Sequence, residues 1–167
     1  MIRSAATLDD RFRRNLRWRW ILWLALVVFA TGCGRGFVIT TPAGFAELED
    51  QDEYGYRAAN AEGVVIAVRY EENVPFGDLG FWSGAVDAHL RRGGYVADEA
   101  IDVKSTDGIP GRQIRYHRKQ SGREHVFWAS VFVTEDVVVT VEAGGDRAYF
   151  EKMKKAVDGS IQSLTID

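Results

Sequence analysis

The chain reads as an α+β domain: an antiparallel β-sheet of about six to seven strands packed with two helices into a sandwich. Three observations predict it. Strand-like alternation recurs in pairs joined by turns too short for anything but hairpins, and this imposes antiparallel pairing. Two stretches, near residues 78–92 and 147–164, instead space their apolar residues as a helix does, one stripe each. A helix with one apolar stripe must lay it on something, and a sheet face is what is available.

In chain order, Gly36–Thr40 (GFVIT) is β-branched and reads as a first strand, ended by Thr41-Pro42-Ala43-Gly44. Glu47, Glu49, Asp50, Asp52 and Glu53 then crowd into seven residues. A calcium loop would need a longer ordered spacing with an internal glycine, so this stretch reads as a solvated acidic loop. Tyr54–Ala59 and Val64–Tyr70 form the first clear hairpin around Asn60-Ala61-Glu62-Gly63, and the second strand looks covered on both faces. The loop EENVPFGDLG (71–80) leads to the first helix, about Asp78–Arg92. Asp78 caps it, Leu79, Trp82, Val86 and Leu90 form its core face, and Gly93-Gly94 stops it. His89 lies beside that stripe and, without partners at metal-ligand spacing, reads as structural.

Tyr95–Val103 is a polar strand expected at a sheet edge. After the turn Thr106–Gly111, Gly111–Arg118 alternates and turns through Gln120-Ser121-Gly122 into His125–Thr134. Only Glu135-Asp136 separates that strand from Val137–Ala143, which makes this pair the strongest hairpin and the expected centre of the sheet. On the second strand Thr140 and Glu142 oppose the valines, so cover on that face should thin toward its end. Gly144-Gly145 is expected to break the sheet. Asp146 then caps a last helix, about Arg147–Leu164, with Phe150, Met153, Val157, Ile161 and Leu164 buried and Lys152, Lys154 and Lys155 toward water.

Ahead of the domain, Arg11–Cys33 (RFRRNLRWRWILWLALVVFATGC) joins an arginine-rich segment to the ten apolar residues Ile21–Ala30. Ten residues make about 15 Å of helix, half of a bilayer core. Ala30-Thr31-Gly32 then precedes the single cysteine, Cys33. This pattern resembles the signal peptide and lipobox of bacterial lipoproteins, with Ala30 standing where leucine is usual. The resemblance implies a leader 1–32, lipidation of Cys33, a short tether 33–35 and a domain 36–167 held to a membrane through its lipidated N-terminus. Several acyl chains on one residue suffice for stable attachment. Gly34 after the cysteine implies, by the same resemblance, the periplasmic face of the outer membrane. An uncleaved signal anchor is the competing reading, and Phe12–Leu16 faintly resembles a twin-arginine export motif.

Six of the 21 basic residues and only two of the 24 acids lie in that leader, so the mature chain carries a net −7. Such a balance offers nucleic acid no global attraction, and no nucleic-acid partner is expected. Arg112, Arg115, Arg118, Lys119 and Arg123, with His117, make one hairpin the basic side of this acidic domain. Of these Arg112, Arg115, His117, Arg118 and Arg123 are the candidate partner-binding residues. Two uses compete: docking an anionic partner or the acidic loop 47–53, and charged edge protection against strand-to-strand aggregation.

The opening F-V-I-T-T-P-A-G-F (Phe37–Phe45), Phe81-Trp82 on the first helix, Gly108-Ile109-Pro110-Gly111 before a strand, and the ending A-Y-F…I-Q-S-L (Ala148–Leu164) resemble the PsbP-like family. That family includes the extrinsic protein of photosystem II and a fold-related Ran-binding import factor. The resemblance spans nearly all of residues 36–166 and implies the α+β sandwich; no motif here matches the photosystem protein's functional residues. Nor is there a phosphate loop, G-x-S-x-G elbow, H-E-x-x-H pair or cysteine-histidine cluster, so no cofactor, metal or catalytic residue is expected. A diffuse site remains conceivable in which His117, Arg115 and the Glu71-Glu72 pair meet across the sheet. The expected function is a noncatalytic interaction or assembly factor with an unidentified protein partner; the alternative is a small-ligand or ion-binding module.

Overall fold

The computed structural model describes residues 36–49 and 53–167; the leader, Cys33, the tether and the middle of the acidic loop lie outside the described residues. Among the described residues nine strands and two helices follow one another: β1 (Phe37–Val38), β2 (Ala46–Glu47), β3 (Tyr56–Ala59), β4 (Val65–Glu72), α1 (Leu79–Arg92), β5 (Val96–Lys104), β6 (Pro110–Gln120), β7 (Arg123–Val133), β8 (Val137–Asp146), α2 (Arg147–Gln162) and β9 (Thr165–Ile166). Seven form one antiparallel sheet in the order β2-β3-β4-β8-β7-β6-β5.

Local chemistry sets the hairpins. Asn60 Oδ1 accepts from the backbone N–H of Glu62 (3.1 Å) and Val64 (2.8 Å), so its side chain builds the β3–β4 turn. Ser121 and Gly122 both have positive φ, 51° and 77°, the twist that a two-residue turn between β6 and β7 requires. At the β7–β8 turn Thr134 Oγ1 accepts from Val137 N–H at 3.0 Å.

The two helices take opposite faces. On β7, Val126, Trp128 and Phe132 join α2's Phe150, Val157 and Ile161 in the main core, with Trp128 meeting the Phe150 ring edge-on at 4.9 Å. The intervening Ala129, with Ile114 and Tyr116 of β6, packs under Val86 and Leu90 of α1. Among the described residues the main core runs from Phe37 to Ile166, and Arg35–Asp167 forms one compact unit.

Several expectations change. The GFVIT segment contributes only β1, which pairs with β9 in a separate two-stranded sheet rather than with its neighbours in sequence. Gly144 and Gly145 do not end β8. They sit within it because a Cβ on Gly144 would come within 3.0 Å of the Phe127 ring and 3.1 Å of the Val126 carbonyl oxygen, and one on Gly145 within 3.2 Å of Val64. The α1 stripe is half-buried, since the helix covers only the β5–β7 part of its face. Lys154 is also partly buried, its ammonium 5.6 Å from the Trp128 ring centre. The sheet ends at β5, as expected of that polar strand, whereas β6 is internal. Its basic residues therefore do not protect an edge.

Candidate functional site

Strand parity divides the basic hairpin between both faces of the sheet. Arg115 and His117 lie on the α2 face, in register with Trp128 and Val126; Arg112 and Arg118 lie on the other, with Arg123 at the turn. Their partners come mostly from the acidic edge strand. Arg112 reaches Asp102 (3.4 Å), Arg115 reaches Glu99 (2.9 Å), and His117 Nδ1 lies 2.7 Å from Asp98. Arg123 faces Asp146 at 3.8 Å. Arg118 donates to the Gly93 carbonyl and to Gln120, with its guanidinium 5.0 Å from the Tyr95 ring centre.

Arg115 is the most deeply engaged. Its Nε donates to Gln113 Oε1 at 2.8 Å, Asp158 lies 3.8 Å away, and the guanidinium covers Trp128 at 4.3 Å. Gln113 is itself only 1% exposed and donates to Ser130. The hairpin's charges thus tie β5 to β6 and close the end of the α2 face. Glu71 and Glu72 stand on β4, separated from β6 by both β8 and β7, so the diffuse constellation with Arg115 and His117 does not assemble. His89 is exposed in the last turn of α1.

Beyond the reach of α1, the face it shares with β3, β4 and β8 is open, and there Tyr54, Arg69 and Glu142 form a network. Tyr54 donates to Glu142 Oε2 (3.1 Å), and Arg69 donates to the Tyr54 oxygen (2.8 Å), to Glu142 (3.4 Å) and to Glu53 (3.2 Å). Burial, then the Glu142 carboxylate, pushes the Tyr54 hydroxyl above its ordinary range. Burial opposes the charge on Arg69, but Glu142 and Tyr54 outweigh it and hold the guanidinium above its usual value. This network flanks a cleft of about 270 Å³ whose lining includes Arg57, Ala67, Tyr95, His125, Phe127 and Gly144. The Tyr54 hydroxyl and the Arg69 guanidinium thus offer polar groups at the rim of this cleft.

A third feature stands between β4 and α1. Asn73, 4% exposed, receives Gly77 N–H (2.9 Å) and Trp82 Nε1–H (2.7 Å) on Oδ1, and donates from Nδ2 to the carbonyls of Gly77 (3.1 Å) and Thr134 (2.9 Å). One side chain thereby holds both ends of a five-residue loop and ties it to α1 and to the β7–β8 turn. The loop presents Val74 and Phe76, 73% and 77% exposed, beside Phe81 at 52%. Large apolar side chains fixed outward in one place are uncommon on a soluble surface and mark contact sites. Sequence reading treated 71–80 as a connecting loop. Its only warning was a phenylalanine flanked by proline and glycine, where turn chemistry has no use for one.

Among the described residues no group of His, Cys, Asp or Glu is arranged to hold a metal ion, and no helix is long and apolar enough to cross a membrane.

No protein-family model matches the chain, and no curated protein does. Solved structures do. LpqN of Mycobacterium tuberculosis, described as involved in cell envelope biogenesis, aligns with a TM-score of 0.66 at 10% identity, covering 78% of this chain and 82% of its own. The cyanobacterial PsbP protein CyanoP of Synechocystis aligns at 0.56 and 12% identity, over 80% and 88%. The fold is PsbP-like. A Bacteroides thetaiotaomicron protein aligns at 0.51 and 15% identity over 79% of this chain but 45% of that one. At these identities the likeness establishes architecture and leaves function to the site.

Proposed function

We propose that the protein is a lipid-anchored, noncatalytic interaction factor of the bacterial cell envelope, tethered through Cys33. The observation that carries this reading is the apolar loop 73–77: a surface built to touch something, on a chain whose other charged clusters are largely consumed by internal pairs. The lipobox-like run before Cys33 supports the anchor, and the fold shared with an envelope-biogenesis protein supports the setting. The Gly34 residue favours the periplasmic face of the outer membrane; the basic hairpin, most of whose charges are paired with β5, is a partner surface only through what those pairs leave exposed, above all Arg118 and Arg123.

The cleft beside Tyr54 favours a second reading, a small-ligand module, because polar groups converge there over an apolar floor. Membrane pull-downs with the wild-type chain, Cys33→Ala and a charge reversal at Arg115 and Arg118 separate the two. Loss of a specific protein on charge reversal supports the interaction factor. No enriched protein, together with a metabolite that raises the melting temperature of wild type but not of Glu142→Gln, overturns it in favour of the ligand module. Labelling with a palmitate analogue tests the anchor: an unlabelled protein, or one still carrying residues 1–32, refutes it.

A further inference from the structure

We infer that the loop Asn73–Gly77 with Phe81 is a membrane-contacting tip, which dips into the bilayer that holds the anchor and fixes the orientation of the domain. This rests on the anchored reading above and adds what the apolar loop touches.

The argument begins where the described chain begins. Gly36 lies against the ring of Tyr70: an added Cβ would come within 2.4 Å of Tyr70 Cζ, and Phe37 stacks on the same ring at 6.0 Å. Tyr70 is two residues from the end of β4, and Asn73 follows immediately, its N–H bonded to the Asp136 carbonyl at 2.8 Å. The point at which the tether enters the domain and the apolar tip therefore share one end of the sheet. Only three residue steps separate Cys33 from Gly36, a reach of at most about 11 Å. A lipidated Cys33 keeps this end of the domain at the lipid surface, where the bilayer is present at a far higher effective concentration than any diffusing partner.

The tip is suited to that occupant. Val74, Phe76 and Phe81 project with most or half of their surface free, and the four hydrogen bonds of Asn73 order the loop in advance, so insertion does not have to pay for it. Gly77 brings the loop against the rings of Phe81 and Trp82, which joins tip and helix into one apolar wedge. Around it stand the exposed carboxylates of Glu71, Glu72, Asp78, Glu135 and Asp136; among the described residues no ion pair uses any of them. Lys104 lines a groove together with Leu79 at the start of α1. An acidic collar repels anionic headgroups, so the wedge is suited to a zwitterionic surface, the reverse of the usual basic membrane binder.

The test uses the compact unit 35–167, once circular dichroism and a cooperative melt show that it folds, with an N-terminal histidine tag on vesicles of phosphatidylcholine and a little nickel-chelating lipid. The attachment then does not depend on lipidation. Tryptophan replaces Phe76 in one variant and Val96, exposed at the opposite end of the sheet, in another, and the emission of each is read as its difference from the unsubstituted domain, whose Trp82 and Trp128 are common to all. With dibrominated phosphatidylcholine, emission at position 76 should fall roughly twofold or more, since the tip reaches acyl-chain depth, while position 96 stays unquenched. Replacing a third of the lipid by phosphatidylglycerol should weaken the quenching, and Glu71→Gln with Glu72→Gln should restore it. If Phe76→Trp does not melt like wild type, Val74→Trp takes its place. Equal quenching at 76 and 96, or none at either, overturns the inference. So does a position 76 that is exposed on vesicles but shielded in native envelopes, which would assign the tip to a protein. These failures leave the anchor reading intact, because palmitate labelling decides that separately.

Discussion

Replacing Asn73 by alanine should cost the domain far more than its size suggests. The side chain makes four hydrogen bonds, to Gly77 N–H, Gly77 C=O, Thr134 C=O and Trp82 Nε1–H, from a site that is 4% exposed. Each buried amide bond is worth about 1 kcal/mol net, and a group left buried without a partner costs more. Water can reach some of the abandoned groups once the loop loosens, so the sum is about 3 kcal/mol rather than the upper limit. For a domain of this size that is a fall of roughly 10 °C in Tm. Urea unfolding followed by circular dichroism gives the number directly. Asn73→Asp is the informative companion, since it keeps both acceptor contacts but turns a carboxylate toward two carbonyl oxygens. It should also be destabilised, and more so at neutral than at acidic pH. A loss below about 1 kcal/mol for the alanine variant would show that the loop does not depend on its lock, and would refute the idea of a preformed tip.

The hairpin arginines should separate cleanly. Arg115→Ala strips cover from Trp128 and leaves Gln113 Oε1, Glu99 and Asp158 without their cation, a cost of about 2 kcal/mol. Arg118→Ala, which has no carboxylate partner among the described residues, should cost less than about 1 kcal/mol in the same urea titration. Burial, reinforced by its hydrogen bond to Asp87, raises the Tyr116 hydroxyl well above the ordinary tyrosine range. In an ultraviolet titration the latest-ionising tyrosine should therefore vanish in Tyr116→Phe; loss of an early-ionising one instead would contradict this. Asp158 is also raised, by burial, with Arg115 and Lys154 only partly opposing it. A carboxyl with a higher pKa folded than unfolded holds its proton more tightly in the native state. Its share of stability is present at low pH and is lost as pH climbs from the unfolded carboxylate range through the raised value. Asp158→Asn should accordingly be no less stable than wild type at pH 7 and should decline less between acidic and neutral pH. A clear loss at pH 7 would show that the contact with Arg115 outweighs the burial.

Where the sequence was legible, the signal was periodic. The strands 125–134 and 137–143 announce themselves by alternation and a short turn, and both helices by their stripes, so the antiparallel sheet with two helices could be read before any coordinate. The rest failed for physical reasons. Strands of two residues have no period, which hid β2 and β9 and left β1 read as longer than its two residues. Gly144-Gly145 looks like punctuation because a sequence shows a missing side chain but not the Phe127 ring and Val126 carbonyl that fill its place. The charged hairpin showed its cations but not its strand order, and only the order reveals that Asp98, Glu99 and Asp102 lie opposite them. Asn73 was hidden most thoroughly: its partner Thr134 lies 61 residues away, and nothing in N-V-P-F-G hints at it.

The clasp between β1 and β9 has a mechanical consequence under the proposed attachment of the domain by one end. Any tug through residues 33–35 reaches Gly36 first, where the Asp167 N–H is bonded to its carbonyl at 3.0 Å, and then the Phe37–Ile166 and Val38–Thr165 pairs. Two residues on, Thr40 is gripped from both sides by α2's end: its carbonyl accepts from Ser160 Oγ at 2.6 Å and its N–H donates to Ser163 Oγ at 2.9 Å. Load entering from the tether is thus passed sideways into the C-terminal helix, whose apolar stripe is seated in the main core. The outermost strand β2 lies beyond these grips along the chain and is spared the peeling force that would otherwise unzip the sheet from its edge.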